Sequence, residues 1–276
     1  MRTIIFVMGT GRCGTSFVTE GLTKLGASLG ENVTIRPADA ANEGGYFEAQ
    51  EFIHFNDRIT WNKIDADPLA MMSAGAEVVA GMFEEHFPDL TEIGLDDGFD
   101  YIYVLKATNL CMLYGVYVAA CARLGIQARV VICNRPHEEV ILSAHRQIDL
   151  GIIEGSKDPG VLRSLFRDYE LGMRHWRQLP YAEVEFSKMG ERETWENIVE
   201  ATGPDVLGAV DDIRWESISA LYVPDRVHFK TVYDGQGVPA GVYTRPAKEA
   251  KLDDQEENNE GRAETSTEGD GPESTG

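Results

Sequence analysis

The stretch that decides the fold runs Thr3-Ile4-Ile5-Phe6-Val7-Met8, then Gly9-Thr10-Gly11-Arg12-Cys13-Gly14-Thr15-Ser16. Thr3 to Met8 is an apolar, partly β-branched run with the length of a buried parallel strand, and it ends at glycine. From Thr15 the period changes: Phe17, Val18, Gly21, Leu22 and Leu25 fall on one helical stripe, which Gly26 closes. Strand, glycine loop and helix therefore follow one another directly. In that setting glycines let backbone N–H groups turn inward, and the helix N-terminus adds partial positive charge, so the loop is an anion cradle. The plainer reading is a tight strand-to-helix turn carrying a solvated arginine.

Two further strand-then-helix units follow, Tyr101 to Leu105 before a helix near Leu110 to Leu124, and Ala128 to Cys133 before a helix starting at Pro136. Leu162 to Leu179 reads as a long amphipathic helix, Tyr181 to Phe186 as a strand and Glu193 to Ala201 as another helix. This alternation predicts an α/β protein: a three-layer, P-loop-like parallel sheet flanked by helices on both faces. Between the first two strands, Ala27 to Asp100 shows little strand character and one expected helix, Glu48 to Trp61. That segment is large enough to build an acceptor site.

At 276 residues and 43% apolar content the chain can bury one substantial core. Of the formal charge of −21, about −7 falls between Lys248 and Gly276, where three cations meet ten acidic residues and almost nothing apolar. The expectation is one domain, 1–246, followed by a disordered acidic tail, 247–276. The remaining negative charge argues against a nucleic-acid partner, which needs a basic face. The run before Gly9 is too short for a signal-peptide core or a membrane span, so a cytoplasmic protein is expected. Cys13, Cys111, Cys121 and Cys133 show no paired Cys-x-x-Cys spacing, and read as thiols rather than as a disulfide or zinc framework.

The glycine loop has the GxxxxG frame of a Walker loop, but Thr15-Ser16 stands where lysine and a hydroxyl residue belong. Its only cation is Arg12, which can grip an anion bidentately. Arg135 follows the third strand, where open α/β sheets place ligands, and Ser143 lies two helical turns further on. GTGRCGTSFV resembles the 5′-phosphosulfate loop of sulfotransferases that use 3′-phosphoadenosine-5′-phosphosulfate (PAPS), with Cys13 replacing the usual serine. That resemblance implies that Arg12, Cys13, Gly14, Thr15 and Ser16 bind the 5′-phosphate and sulfuryl oxygens, and that Arg135 and Ser143 bind the 3′-phosphate. It also implies PAPS as sulfuryl donor, no metal, and an acceptor hydroxyl or amine on a small molecule, glycan, lipid or peptide.

Sulfuryl transfer needs in-line attack, stabilisation of the leaving phosphate and a base for the acceptor proton. Cytosolic members of that family use the histidine of a Lys-Thr-His sequence; here the stretch is Lys106-Ala107-Thr108-Asn109, which keeps only the lysine. Asn42 to Glu48 resembles an Asn-x-x-Gly-Tyr-x-Glu segment of bacterial sulfotransferase-like proteins and points to Glu48 as base, with Lys106 and Arg12 stabilising charge. If a helix begins at Glu48, then Glu51 and His54 share its face and stand in reserve. The solvated side of an amphipathic helix is the plainer account of these acids. The Arg-Lys-Gly loop that some members fold over the 3′-phosphate is not found near the C-terminus; Lys230 and Arg245 are the candidate substitutes, and nothing in their spacing marks either.

Two alternatives use the same opening unit. A P-loop kinase needs a Walker lysine and an aspartate ending a later strand, but those strands end in Leu105-Lys106 and Cys133-Asn134. A non-catalytic protein of the same fold would bind PAPS, its product 3′-phosphoadenosine-5′-phosphate (PAP) or another nucleotide without turnover. All of these assignments depend on Arg12 and Arg135 converging on one anionic ligand. Guanidinium groups too far apart for one molecule to bridge, or burial of either against an internal carboxylate, undo the sulfotransferase assignment made on these two anchors.

Overall fold

The computed structural model describes residues 2–39, 42, 44–61, 68–91, 100–107, 109–149, 151, 158–222, 229–233 and 239–244. The expected acidic tail, Arg245, Glu43, Thr108 and the side chain of Lys230 lie outside the described residues. The elements run β1 (Arg2–Gly9), α1 (Thr15–Lys24), α2 (Gln50–Trp61), α3 (Pro68–His86), α4 (Pro88–Thr91), β2 (Tyr101–Leu105), α5 (Tyr114–Leu124), β3 (Gln127–Asn134) and α6 (His137–Asp149). They continue with α7 (Pro159–Trp176), β4 (Tyr181–Glu185), α8 (Arg192–Thr202), α9 (Pro204–Leu207), α10 (Asp212–Ser219), β5 (Phe229–Tyr233) and β6 (Pro239–Thr244). Short 3-10 turns cover Leu110–Leu113 and Phe186–Lys188.

Four strands form one parallel sheet in the order β2-β1-β3-β4, and β5 and β6 form a separate antiparallel hairpin. Alternation along β1 explains the layers. Ile4, Phe6 and Met8 face a core shared with α2, α3, α5 and α7, whereas Ile5 and Val7 face one shared with α1, α8, α9 and α10. Six consecutive β1 residues are buried, as a central parallel strand covered on both faces requires. Trp176 anchors the first layer and Trp195 the second, both fully buried, and each indole donates to a backbone carbonyl, of Cys111 and Met189 respectively. The predicted three-layer α/β architecture is therefore present.

The chain leaves β1 for β2 on one side and returns across β1 to place β3 on the other. The connections diverge between β1 and β3, and an open sheet leaves a ligand crevice at the carboxyl ends of such a pair. Register brings Gly9 beside Cys133, so the glycine loop and the segment after Asn134 meet at that crevice. The 27–100 segment differs from expectation in carrying a second long helix, α3. The helix after Glu48 begins two residues later than predicted, at Gln50, because Glu48 and Ala49 make backbone hydrogen bonds to Arg36 and Lys106 instead, and Ala49 forms a bridge with Ile35.

Candidate active site

The loop from Gly9 to Gly14 turns through three positive-φ residues, Gly11 (81°), Arg12 (54°) and Gly14 (85°). Arginine adopts this region only where its surroundings impose it, and such strain clusters at ligand sites. Gly14 serves as N-cap of α1 without a capping side chain, and the first turn carries no acidic residue. The orphan N–H groups of α1 therefore point into the loop with nothing from their own helix to satisfy them. A Cβ on Gly14 would collide with the Met189 sulfur, so bulk as well as φ demands glycine there.

Arg12 reaches across to α6. Its Nε donates to Ser143 Oγ at 3.4 Å, and both Nη atoms donate to the Gln147 side-chain oxygen at 3.1 Å in the amide orientation that satisfies both groups. Burial, reinforced by nearby Arg135, lowers the pKa of the guanidinium, against weaker opposing pulls from Tyr46, Cys13 and Asp39. It forms an ion pair with no carboxylate among the described residues. A largely buried cation held by neutral groups alone is an incomplete electrostatic arrangement that an incoming anion completes.

Arg135 behaves differently, and here the expectation needs correction. Its Nε donates to Glu139 Oε2 at 2.9 Å, with both side chains about 5% exposed. Its Nη1 donates to the Arg12 carbonyl at 2.9 Å, and its guanidinium carbon stacks 4.0 Å from the Phe186 ring centroid. The arginine lines the same cavity as Arg12 and Ser143. Its charge, however, is countered by an internal carboxylate, the arrangement that counts against its use as a full anionic anchor. The position also braces the glycine loop through the Arg12 carbonyl.

The other loop residues divide the same way. Gly14, Thr15 and Ser16 line the cavity, but Ser16 Oγ donates to the Tyr46 carbonyl at 3.3 Å and accepts from Asn42 at 3.0 Å. Cys13 is fully buried beneath the loop, and burial raises its thiol pKa, so only its backbone is positioned for an anion. All four cysteines are buried free thiols.

A strap from Gly44 to Ala49 crosses the carboxyl end of β2 and places Glu48. Arg36 N donates to the Glu48 carbonyl at 2.8 Å and Ala49 N donates to that of Lys106 at 3.3 Å. Lys106 Nζ donates to Glu48 Oε1 at 2.9 Å and to the Tyr46 carbonyl at 2.8 Å, while Arg36 pairs with Glu48 Oε2 at 3.3 Å. Burial lowers the Lys106 pKa, and Glu48 opposes that shift. The predicted pair Glu48 and Lys106 is thus brought together. Glu51 and His54 are not: Glu51 caps the Thr34 N–H from α2, and neither residue lines a cavity described here.

Two cavities meet at the loop. The first, about 170 Å³, lies between the loop, Arg135, Ser143 and the aromatic rings of Phe17, Phe186 and Tyr222. The second, about 370 Å³, contains Glu48 and Lys106 and extends along α6 and α7. Arg12 and Thr15 line both. Sequence reasoning missed Gln147, Phe186 and Tyr169. Gln147 follows Ser143 by one helical turn and Phe186 follows the end of β4, so helical spacing and the strand-end rule would have found two of the three.

Fold and site together define an α/β protein with an arginine-bearing glycine loop at the switch point of its sheet. No family model and no curated protein matches the chain. Among solved structures it is similar to the sulfotransferase domain from the curacin biosynthetic pathway, at 14% identity and a TM-score of 0.41, over 82% of this chain and 80% of that one. It is also similar to the sulfotransferase domain from the Synechococcus PCC 7002 olefin synthase, at 15% identity and a TM-score of 0.45, over 82% and 78%. No helix among the described residues is long and apolar enough to cross a membrane, and no described His, Cys, Asp or Glu cluster has the makings of a metal site.

Proposed function

We propose that this chain is a sulfotransferase that takes PAPS in the first cavity and transfers its sulfuryl group to an acceptor in the second. The observation that carries this reading is Arg12, a largely buried cation in the glycine loop whose side-chain partners among the described residues are neutral, beside the uncapped N-terminus of α1. The residues fit the donor. Arg12, Thr15 and the loop N–H groups would hold the phosphosulfate, and Ser143 adds a hydroxyl. At about 170 Å³ this cavity is below the roughly 300–1,000 Å³ that encloses a drug-sized ligand. It suits the anionic end of the nucleotide rather than all of it.

Bound PAPS supplies an activated sulfuryl group, whose S–O bond to the 5′-phosphate breaks as an acceptor oxygen attacks and whose bonding pair leaves on that phosphate. Arg12 and the α1 N-terminus stabilise that leaving charge without reorganising. Glu48 takes the acceptor proton, and Lys106 holds the carboxylate in place from 2.9 Å. A magnesium-dependent kinase would use an aspartate where β2 and β3 here lead into Lys106 and end at Asn134.

One observation favours the alternative of a non-catalytic nucleotide binder: both Glu48 oxygens already accept from cations, Lys106 and Arg36. Calorimetry with PAP and with ATP–magnesium, followed by radiolabelled sulfate transfer from PAPS, separates these readings. The sulfotransferase reading expects PAP to bind, Arg12→Asn to weaken it at least tenfold, and Glu48→Gln to abolish transfer while PAP still binds. Transfer unchanged by Glu48→Gln would remove that base. PAP binding without transfer to any acceptor class would leave the binder, and tighter binding of ATP–magnesium would overturn the assignment.

A further inference from the structure

We infer that the acceptor is an uncharged alcohol or phenol on a largely apolar body, seated in the second cavity; this rests on the donor reading above. At about 370 Å³ that cavity is the larger of the two, and it falls within the size range of enclosed small-molecule sites. Its charged lining residues are Arg12, Glu48 and Lys106. Lys106 and Glu48 neutralise each other, and Arg12 is the residue assigned to the donor. Arg12 and Thr15 are also the wall shared with the first cavity, which sets a hydroxyl presented at this end within the neighbourhood of the donor.

The wall contributed by the 3-10 turn, α6 and α7 has another character. Leu110, Ile148, Val161, Leu162, Leu165 and Phe166 present hydrocarbon. The remaining polar side chains along it bond within the protein. Tyr169 donates to Asn109 Oδ1 at 2.7 Å, Asn109 donates to Asp57 at 2.7 Å, and Gln147 accepts from Arg12. A sugar entering here would strip water from a ring of hydroxyls and find few partners in return, and a charged amine would lose hydration against hydrocarbon. An apolar body bearing one hydroxyl loses neither.

The test uses the full chain saturated with PAP and two uncharged probes, 3-phenylpropan-1-ol and methyl glucoside, by calorimetry. The alcohol should bind at least tenfold more tightly than the glucoside. Leu165→Gln, and separately the milder Leu162→Ala, should weaken the alcohol several-fold while leaving the PAP dissociation constant unchanged, which also shows that the variants are folded. Equal or tighter binding of the glucoside, or alcohol binding untouched by both substitutions, overturns the acceptor class and leaves the donor reading standing. Binding of the alcohol to a chain that does not bind PAP overturns the donor reading and, with it, the acceptor role of this cavity.

Discussion

Two arginines at neighbouring strand ends have opposite electrostatic surroundings. Arg12 has neutral partners on α6, whereas Arg135 shares a buried ion pair with Glu139. Removing one member of such a pair strands a buried charge, which costs about 3–5 kcal/mol, whereas replacing both with shape-matched neutral groups costs far less. Urea unfolding of Arg135→Met should show that loss, and Arg135→Met with Glu139→Gln should recover most of it. A double-variant loss equal to the sum of the separate Arg135→Met and Glu139→Gln losses would mean the pair is not coupled. This contact was not drawn from the sequence, because Arg135 precedes the helix that carries Glu139 and reads as a ligand anchor. The neutrality of Arg12's surroundings was not legible either, because it depends on which side chains α6 brings across the crevice.

Tyr46 belongs to the same scale. Burial and its hydrogen bond to Asp39 raise its phenol pKa to about 12, while the stacked Arg36, 3.8 Å from the ring centroid, pulls the other way. The unfolded phenol titrates near 10. Because the folded value is the higher, the contribution of Tyr46 to stability is complete below the unfolded value and is lost as the pH climbs from there through about 12. A near-ultraviolet difference titration of wild type against Tyr46→Phe should show one tyrosine missing from the high-pH end of the curve. A difference confined to the region near 10 would show that the Asp39 contact does not persist in solution.

Among the elements, α1 offers a direct contest between intrinsic propensity and packing. Gly21→Ala should gain up to about 1 kcal/mol of helix propensity. The added methyl, however, would run into the Trp195 indole, which is fully buried between α1 and α8. Overpacking of that kind costs about 1–3 kcal/mol, so the variant should be less stable on balance and should lower the thermal midpoint. A rise instead would show that Trp195 has room to move. Sequence periodicity found β1 and α1 because a two-residue alternation gives way to a helical stripe across a glycine loop. It missed α3, whose alanines, glycines and methionines spread around the helix without a clear apolar stripe. The shared face expected of Glu48, Glu51 and His54 failed because long-range backbone bonds to Arg36 and Lys106 hold Glu48 and Ala49 outside the helix, a pairing that no local propensity announces.

At the scale of the molecule, the sheet order decides everything about the site, and only its parallel character was legible beforehand. Placing β3 against β1 is what joins residues 123 positions apart, Arg12 and Arg135, into one cavity wall. The same layered burial seals the thiols: burial pushes Cys111 and Cys121 to about 12 and raises Cys13 and Cys133. A thiol-reactive disulfide reagent should therefore leave the native protein nearly unlabelled at mildly alkaline pH and modify all four cysteines in denaturant. Fast labelling of one cysteine in the native state would reveal an opening of the layer that covers it.

The partition formed by Arg12 and Thr15 also bears on kinetics. With compartments on either side of it and the Cys13 sulfur buried beneath the loop, the proposed transfer passes directly from donor to acceptor rather than through that thiol. Under the proposed function both reactants are resident together, so initial-rate plots should intersect rather than run parallel. Desulfated nucleotide should compete with the donor alone.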